Sequence, residues 1–281
     1  MDDESRLPEL TLSELRQVQL SILLAFDRLC RALDLRYSLA YGTLLGAIRH
    51  GGYIPWDDDI DVMMPRSDYE RLMDAFAATA PSHLSLGSVR TQADWPLPYA
   101  KISDLRTELW EPFEVPVELG VNIDVFPVDV LPGSRIVRGV QAKLVRLLRW
   151  ALELRYIAAE RGRAWHHPLV IAIVKPALRV VPVTWLVRAF GRAARMSGGR
   201  PGDRVGVLVG SFDWSVPRDS LLPATGVAFE GLWCRAPRQP NRVLTEVYGH
   251  FRELPPEAER ISQHAFTAVW REPHRGAPPE G

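Results

Sequence analysis

Cysteine is nearly absent, with Cys30 and Cys234 the only two in 281 residues. Two thiols so far apart make neither a disulfide framework nor a metal cluster, and their apolar settings predict buried, reduced side chains. Net charge is absent too: 34 Lys/Arg stand against 34 Asp/Glu. No overall field therefore argues for a nucleic-acid partner. No apolar run is long enough to cross a bilayer. The best stretch, Pro168 to Val187, is interrupted by Lys175, Pro176, Arg179 and Pro182, whereas a span needs about 20 predominantly apolar residues. The acidic start, Met1 to Glu9, lacks the basic and apolar segments of a signal peptide. A cytoplasmic enzyme is the resulting expectation. There is no internal repeat. A hydrophobic content of 47% with 24% charged residues excludes global disorder.

The zero net charge conceals a segregation. Ser134 to Arg200 carries fourteen Lys/Arg against Glu153 and Glu160 alone, so this segment is +12 and the remainder −12. Apolar residues in it, among them Val140, Leu144, Leu147, Leu148 and Leu152, recur near helical spacing with arginines between them. The expected organisation is a catalytic core over 1–133, a basic helical insertion over 134–200, and strands and helices completing the core over 201–270. A Pro/Gly-rich tail over 271–281 is expected to be disordered.

Elsewhere, helices and strands alternate. Thr11-Leu-Ser-Glu14 has the form of a capping box opening a helix to about Leu35. Tyr37–Tyr41 reads as a short strand, Thr43–His50 as a short helix and Ile60–Met64 as a strand. Ser67-Asp-Tyr-Glu70 resembles a second capping box, before a helix to about Thr79. Further strands are expected at Leu84–Val89, Tyr99–Ser103 and Ile123–Phe126, with a strand pair near Gly226–Arg235. Helices are expected near Asn241–Tyr248 and Glu257–Trp270.

Chemistry concentrates in Trp56-Asp-Asp-Asp-Ile-Asp61. Four like charges within five residues are costly to hold together. Side chains alternate along a strand, so Asp59 and Asp61 share a face, with Asp57 joining them if the extended backbone starts that early. Carboxylates at the mouth of an apolar strand suit a hard divalent cation, which takes one or two of them together with substrate phosphates. Gly42-Thr43, upstream between a strand and a helix, offers close backbone approach and free N–H groups to a phosphate. Asp124, in Asn-Ile-Asp-Val-Phe-Pro (122–127), is either a third ligand, a base or a hydrogen-bonded strand-edge carboxylate. Trp56 packs the loop or stacks on a base. His166-His167 has no ligand partner at metal spacing, and His264 on the last helix could reach the site.

The blocks Tyr-Gly-Thr-Leu-Leu-Gly-Ala-Ile-Arg (41–49), Ile-Pro-Trp-Asp-Asp-Asp-Ile-Asp-Val (54–62) and Asn-Ile-Asp-Val-Phe-Pro-Val-Asp (122–129) resemble the LicD/fukutin family of the nucleotidyltransferase superfamily. So does a C-terminal element, Phe229-Glu-Gly with Leu-Thr-Glu-Val-Tyr-Gly (244–249). The resemblance implies an α/β fold, a small mixed sheet with flanking helices. It implies Gly42 and Thr43 as the phosphate turn, Asp59 and Asp61 as the metal pair and Asp124 as third carboxylate, with Arg49 and Lys101 as basic residues near the donor. It further implies Mg²⁺ or Mn²⁺ and transfer of phosphocholine, or a similar phosphate-linked group, from a CDP-linked donor to a glycan or lipid-linked glycan hydroxyl. Nucleotidyl transfer to a small molecule and a non-catalytic binding role are the alternatives. The basic helical insertion suits an anionic membrane surface, as a peripheral protein would use it, or packs as a helical subdomain with a solvated basic face.

Overall fold

A computed structural model describes residues 8–110, 119–156, 174–178, 180–196, 201–210, 214–261 and 267–271. Its spine is one long strand, β6 (Asn122–Pro132), which neighbours three others. The path of the central sheet runs β1 (Ser38–Leu39), β2 (Asp61–Pro65), β6, β4 (Ala100–Asp104) and β3 (Leu84–Gly87). Only the β2–β6 pairing is parallel. The far end of β6 pairs with β7 (Pro201–Gly206), which pairs with β8 (Val216–Pro217). Strands β2, β4 and β6 are buried at nearly every position, as expected when both faces of a sheet are covered.

Helix α1 (Leu12–Ala32) packs on β4 and β6. Its capping box forms: the Glu14 amide donates to Thr11 Oγ1 at 3.2 Å, and the Thr11 amide donates to the Glu14 carboxylate at 2.8 Å. Helix α2 (Tyr41–Arg49) follows β1 after a single residue, and α3 (Arg66–Thr79) follows β2 directly. The second capping box does not form. Pro65, not Ser67, is the N-cap residue of α3, and no side chain caps it. Asp68 is instead drawn to the Arg36 guanidinium, at 2.6 Å. Glu70, the other half of the expected box, pairs with Arg66 at 3.5 Å and Arg90 at 3.1 Å instead.

Where the basic segment is described it includes two helices, α4 (Arg135–Tyr156) packing against α5 (Val183–Ala194). Gln141 is buried between them and donates to the Ala193 and Ala194 carbonyls at 3.1 and 2.9 Å. Trp165, His166 and His167 lie outside the described residues. None of the described helices is long and apolar enough to cross a membrane. The chain returns to the sheet as β7, then forms the hairpin β9 (Thr225–Phe229) and β10 (Leu232–Ala236), and α6 (Pro240–Tyr248). Glu230 and Gly231, both at positive φ (48° and 76°), make the two-residue turn. The expected helix near Glu257–Trp270 is not found among the described residues of that stretch. Its described residues include a 3₁₀ turn, Glu257–Glu259, and β11 (Thr267–Trp270), which pairs with β5 (Thr107–Trp110). A β-branched and aromatic run beside an unpaired strand forms a ladder in preference to a helix. His264 and the 272–281 tail lie outside the described residues.

Arg66, first residue of α3, grips Asp129 of β6 through two parallel bonds, Nε to Oδ1 at 2.8 Å and Nη2 to Oδ2 at 2.7 Å. The fork fixes α3 and β2 against β6, and Asp129 is buried. Asp129→Ala leaves a desolvated guanidinium without its partner. We expect a loss of about 3–5 kcal/mol in urea unfolding; a loss below about 1 kcal/mol would show that the fork is not what holds α3.

Candidate active site

The parallel register of β2 and β6 sets Asp61 beside Asp124, and the antiparallel register of β6 and β4 sets Asp124 beside Lys101. Register partners share a face of the sheet, so the three side chains form a row across three strands. Lys101 is buried; its Nζ lies 2.8 Å from Asp124 Oδ1 and 3.1 Å from Asn122 Oδ1. Asp61 is buried as well. Burial pushes its carboxyl well above the ordinary carboxylate range, Asp59, Asp124 and Asp57 push it further, and Lys101 opposes the rise. The structure thus brings together Asp59, Asp61 and Asp124, with Asp57 added and Lys101 as the facing cation.

The start of β2 is stitched to the start of α2. The Asp61 amide donates to Thr43 Oγ1 at 2.8 Å, and the Ala40 amide donates to the Asp61 carbonyl at 2.9 Å. Thr43 is therefore buried as a bracket for the strand. Gly42 lies under the Asp57 carboxylate, into which any Cβ there would collide. Tyr41, the first residue of α2, has φ +39°, a strained backbone for a residue with a side chain and a frequent mark of functional sites.

The aspartate loop, 51–60, is braced from outside. Arg16 on α1 donates to the carbonyls of Ile54 (3.2 Å), Pro55 (3.1 Å) and Asp57 (2.5 Å), and lies over the Tyr53 ring at 4.6 Å. Gln19, one helical turn on, donates to the Asp58 carbonyl at 2.9 Å and accepts from the Tyr53 hydroxyl at 3.0 Å. From the other side, Glu230 in the hairpin turn accepts the Tyr53 amide at 2.9 Å. Asp58 is buried in this frame. Tyr248 on α6 stands beside the cluster: burial and then the charges of Asp61 and Asp57 push its hydroxyl far above the usual tyrosine range.

Arg49 is turned to another task. Its Nη1 donates to the carbonyls of Phe251 (2.9 Å) and Glu253 (3.2 Å), tying α2 to the segment after α6. Trp56 packs between the His50 ring (6.4 Å) and the Arg260 guanidinium (5.8 Å). Arg16, Gln19, Glu230 and Tyr248 escaped the sequence reading as site residues. Three of them carried a signal: Gln19 is a polar residue on the buried face of an amphipathic helix between Leu15 and Ile22, and Glu230 and Tyr248 lie in the C-terminal motifs Phe229-Glu-Gly and Leu-Thr-Glu-Val-Tyr-Gly (244–249).

Among the described residues no three His, Cys, Asp or Glu side chains make a metal cage by themselves. The donor set nevertheless fits a hard cation. All candidate ligands are carboxylate oxygens, they crowd a buried carboxyl, and Mg²⁺ commonly takes only one or two carboxylates beside substrate phosphates.

Removing the Arg16 brace loosens the loop without opening the core. Arg16→Ala is expected to speed hydrogen exchange of the Tyr53–Asp59 amides by about tenfold or more while α3 and β6 keep their protection. Unchanged exchange in the loop would assign its order to other contacts.

Residues 34–111 match the LicD/FKTN/FKRP nucleotidyltransferase domain. Over 265 residues, covering 91% of this chain and 97% of the relative, the sequence is 28% identical to the lipopolysaccharide cholinephosphotransferase LicD of Haemophilus influenzae. Gly42, Thr43, Asp59, Asp61 and Lys101 fall inside the domain match, and Asp124 is reached only by the longer alignment. Motifs, mixed sheet and both likenesses agree: the chain is similar to the LicD/FKTN/FKRP nucleotidyltransferase domain over residues 34–111 and to a LicD transferase along most of its length.

Proposed function

We propose that this protein transfers phosphocholine, or a similarly substituted phosphate, from a CDP-linked donor to a glycan or lipid-linked glycan hydroxyl, with a divalent cation as cofactor. The observation that carries this reading is the row Asp61–Asp124–Lys101 with Asp59 crowded against it. The cholinephosphotransferase activity in the name of the Haemophilus relative supports the choice of donor group.

Phosphoryl-type transfer is governed by positioning and charge neutralisation. Asp59 and Asp61 would hold Mg²⁺ or Mn²⁺, which supplies neutralisation of the donor diphosphate. Lys101 occupies one oxygen of Asp124, leaving the other for the cation or for the proton of the attacking hydroxyl. Thr43 keeps Asp61 at the strand mouth, and Arg16 and Gln19 keep Asp59 in reach of it. The acceptor oxygen forms a bond to the distal phosphorus, the bond to the CMP oxygen breaks, and CMP departs. Incubation with CDP-choline, a glycan acceptor and Mg²⁺ is expected to release CMP; release of pyrophosphate from a nucleoside triphosphate would instead assign nucleotidyl transfer.

Asp61 gives a test with a stability readout beside turnover. A carboxyl whose folded-state pKa is raised loses stability for the fold as pH climbs through that value. Without divalent cation at pH 7, Asp61→Asn is therefore expected to melt above the wild type, with the gap closing toward pH 4. Mg²⁺ should raise the melting temperature of the wild type and not of the variant, and the variant should lose turnover. A wild type indifferent to Mg²⁺ and Mn²⁺ would overturn the metal.

The helical pair suits an anionic membrane carrying the acceptor. Ile136, Val140, Leu144 and Leu147 form an exposed stripe along α4, with Ile136 81% and Leu147 58% exposed. Across α4 and α5, eight Lys/Arg stand against Glu153 alone. Apolar residues edged by basic ones bind anionic bilayers through both terms. Flotation with phosphatidylglycerol vesicles should recover the protein at low salt, and Val140→Glu with Leu147→Glu should reduce recovery by about tenfold; equal recovery on neutral vesicles would refute this docking.

A further inference from the structure

One strand repeat from the carboxylates, the same face of the sheet turns aromatic. Phe126 lies two residues beyond Asp124 on β6, and Tyr99 two residues before Lys101, just ahead of β4. The antiparallel register that pairs Lys101 with Asp124 and Ala100 with Val125, continued by one residue, sets Tyr99 opposite Phe126. Their ring centroids are 4.4 Å apart with planes inclined at 38°. Tyr41 completes a corner: its ring meets Phe126 edge-on, at 5.1 Å and 80°. Trp214 reinforces Tyr41 by donating its Nε1–H to the Tyr41 hydroxyl at 3.4 Å. Phe126 and Trp214 are buried, whereas Tyr41 and Tyr99 are half-buried and keep accessible surface.

We propose that this corner is a quaternary-ammonium subsite, in which Tyr41 and Tyr99 receive the trimethylammonium head of the donor with Phe126 as its floor. The inference deepens the transferase reading and rests on it. Two observations point to this ligand chemistry. Ring faces attract a cation that has no N–H to donate, and no hydrogen-bond acceptor is needed to hold it. The spacing also agrees. Residues two apart on a strand are separated by about 7 Å along it, comparable with the reach of the two-carbon bridge between phosphorus and quaternary nitrogen. A phosphate at the Asp61–Asp124–Lys101 row therefore delivers its head group to the aromatic corner. The backbone strain at Tyr41 acquires a reason: it holds that ring against Phe126 while the next two residues, Gly42 and Thr43, serve the carboxylate end.

Calorimetric titration of the full-length protein with CDP-choline and with CDP-ethanolamine, in Mg²⁺, tests the assignment. Tyr99→Leu preserves bulk and removes the ring face. It should weaken CDP-choline by about tenfold while changing CDP-ethanolamine less than about threefold, and Tyr99→Phe should restore the preference. Melting temperature monitors the fold of each variant. Equal weakening of both donors, or no weakening of either, in a variant that melts like the wild type overturns the subsite while leaving the transfer reaction intact. A wild type that neither binds nor consumes CDP-choline overturns the transfer reading, and the subsite falls with it.

Discussion

The site depends on one unfavourable interaction held in place by favourable ones. Asp61 and Asp124 sit in register on adjacent parallel strands, with Asp59 pressing on the same space. Left to themselves, such carboxylates would separate into water, because repulsion grows as the local dielectric falls. They cannot separate here. β6 is paired on both sides, and Asp61 is bonded through its own backbone to Thr43 and Ala40. The sheet stores the repulsion, and Lys101 relieves part of it from the third strand. On the transfer reading proposed above, a cation held with the donor phosphates would relieve the rest.

Precision in the loop comes from elements distant in sequence. Arg16 and Gln19 reach it from α1, and Glu230 from a hairpin more than two-thirds of the way along the chain. Each bonds backbone groups of the loop, and Arg16 and Gln19 hold the Tyr53 side chain as well. Arg49 extends the same frame by fastening α2 to the segment after α6. The N-terminal helix and the C-terminal hairpin thus both brace the aspartate loop.

The basic helical pair is built differently. Its apolar residues divide between a face that joins the core, including Val145, Leu148 and Leu152, and a stripe left in solvent. Gln141 locks the two helices together through buried carbonyls. The pair contacts the sheet through α4 and β6 and turns basic side chains outward.

Local pattern sufficed wherever local forces decided. Periodicity gave α1, α4 and α6, the alternation and turn chemistry gave the β9–β10 hairpin, and the density of carboxylates marked 57–61 as a place where charge must be managed. It failed where partners far along the chain outbid neighbours. The helix expected to be capped at Ser67 starts at Arg66, with Glu70 drawn to Arg66 and Arg90, and the strand at Thr267–Trp270 stands where a helix was expected because β5 offered a ladder. Sequence could name Asp61, Asp124 and Lys101 as candidates, yet not that they stand in one row, since register across strands is a long-range property. It could not see Arg49 turned toward Phe251, or Tyr41, Tyr99 and Phe126 meeting in a corner. Residue identity determined which chemistry was possible; only the pairing of β2, β6 and β4 decided which groups share a space, because hydrogen-bonded register converts separations of dozens of residues into contacts of a few ångströms.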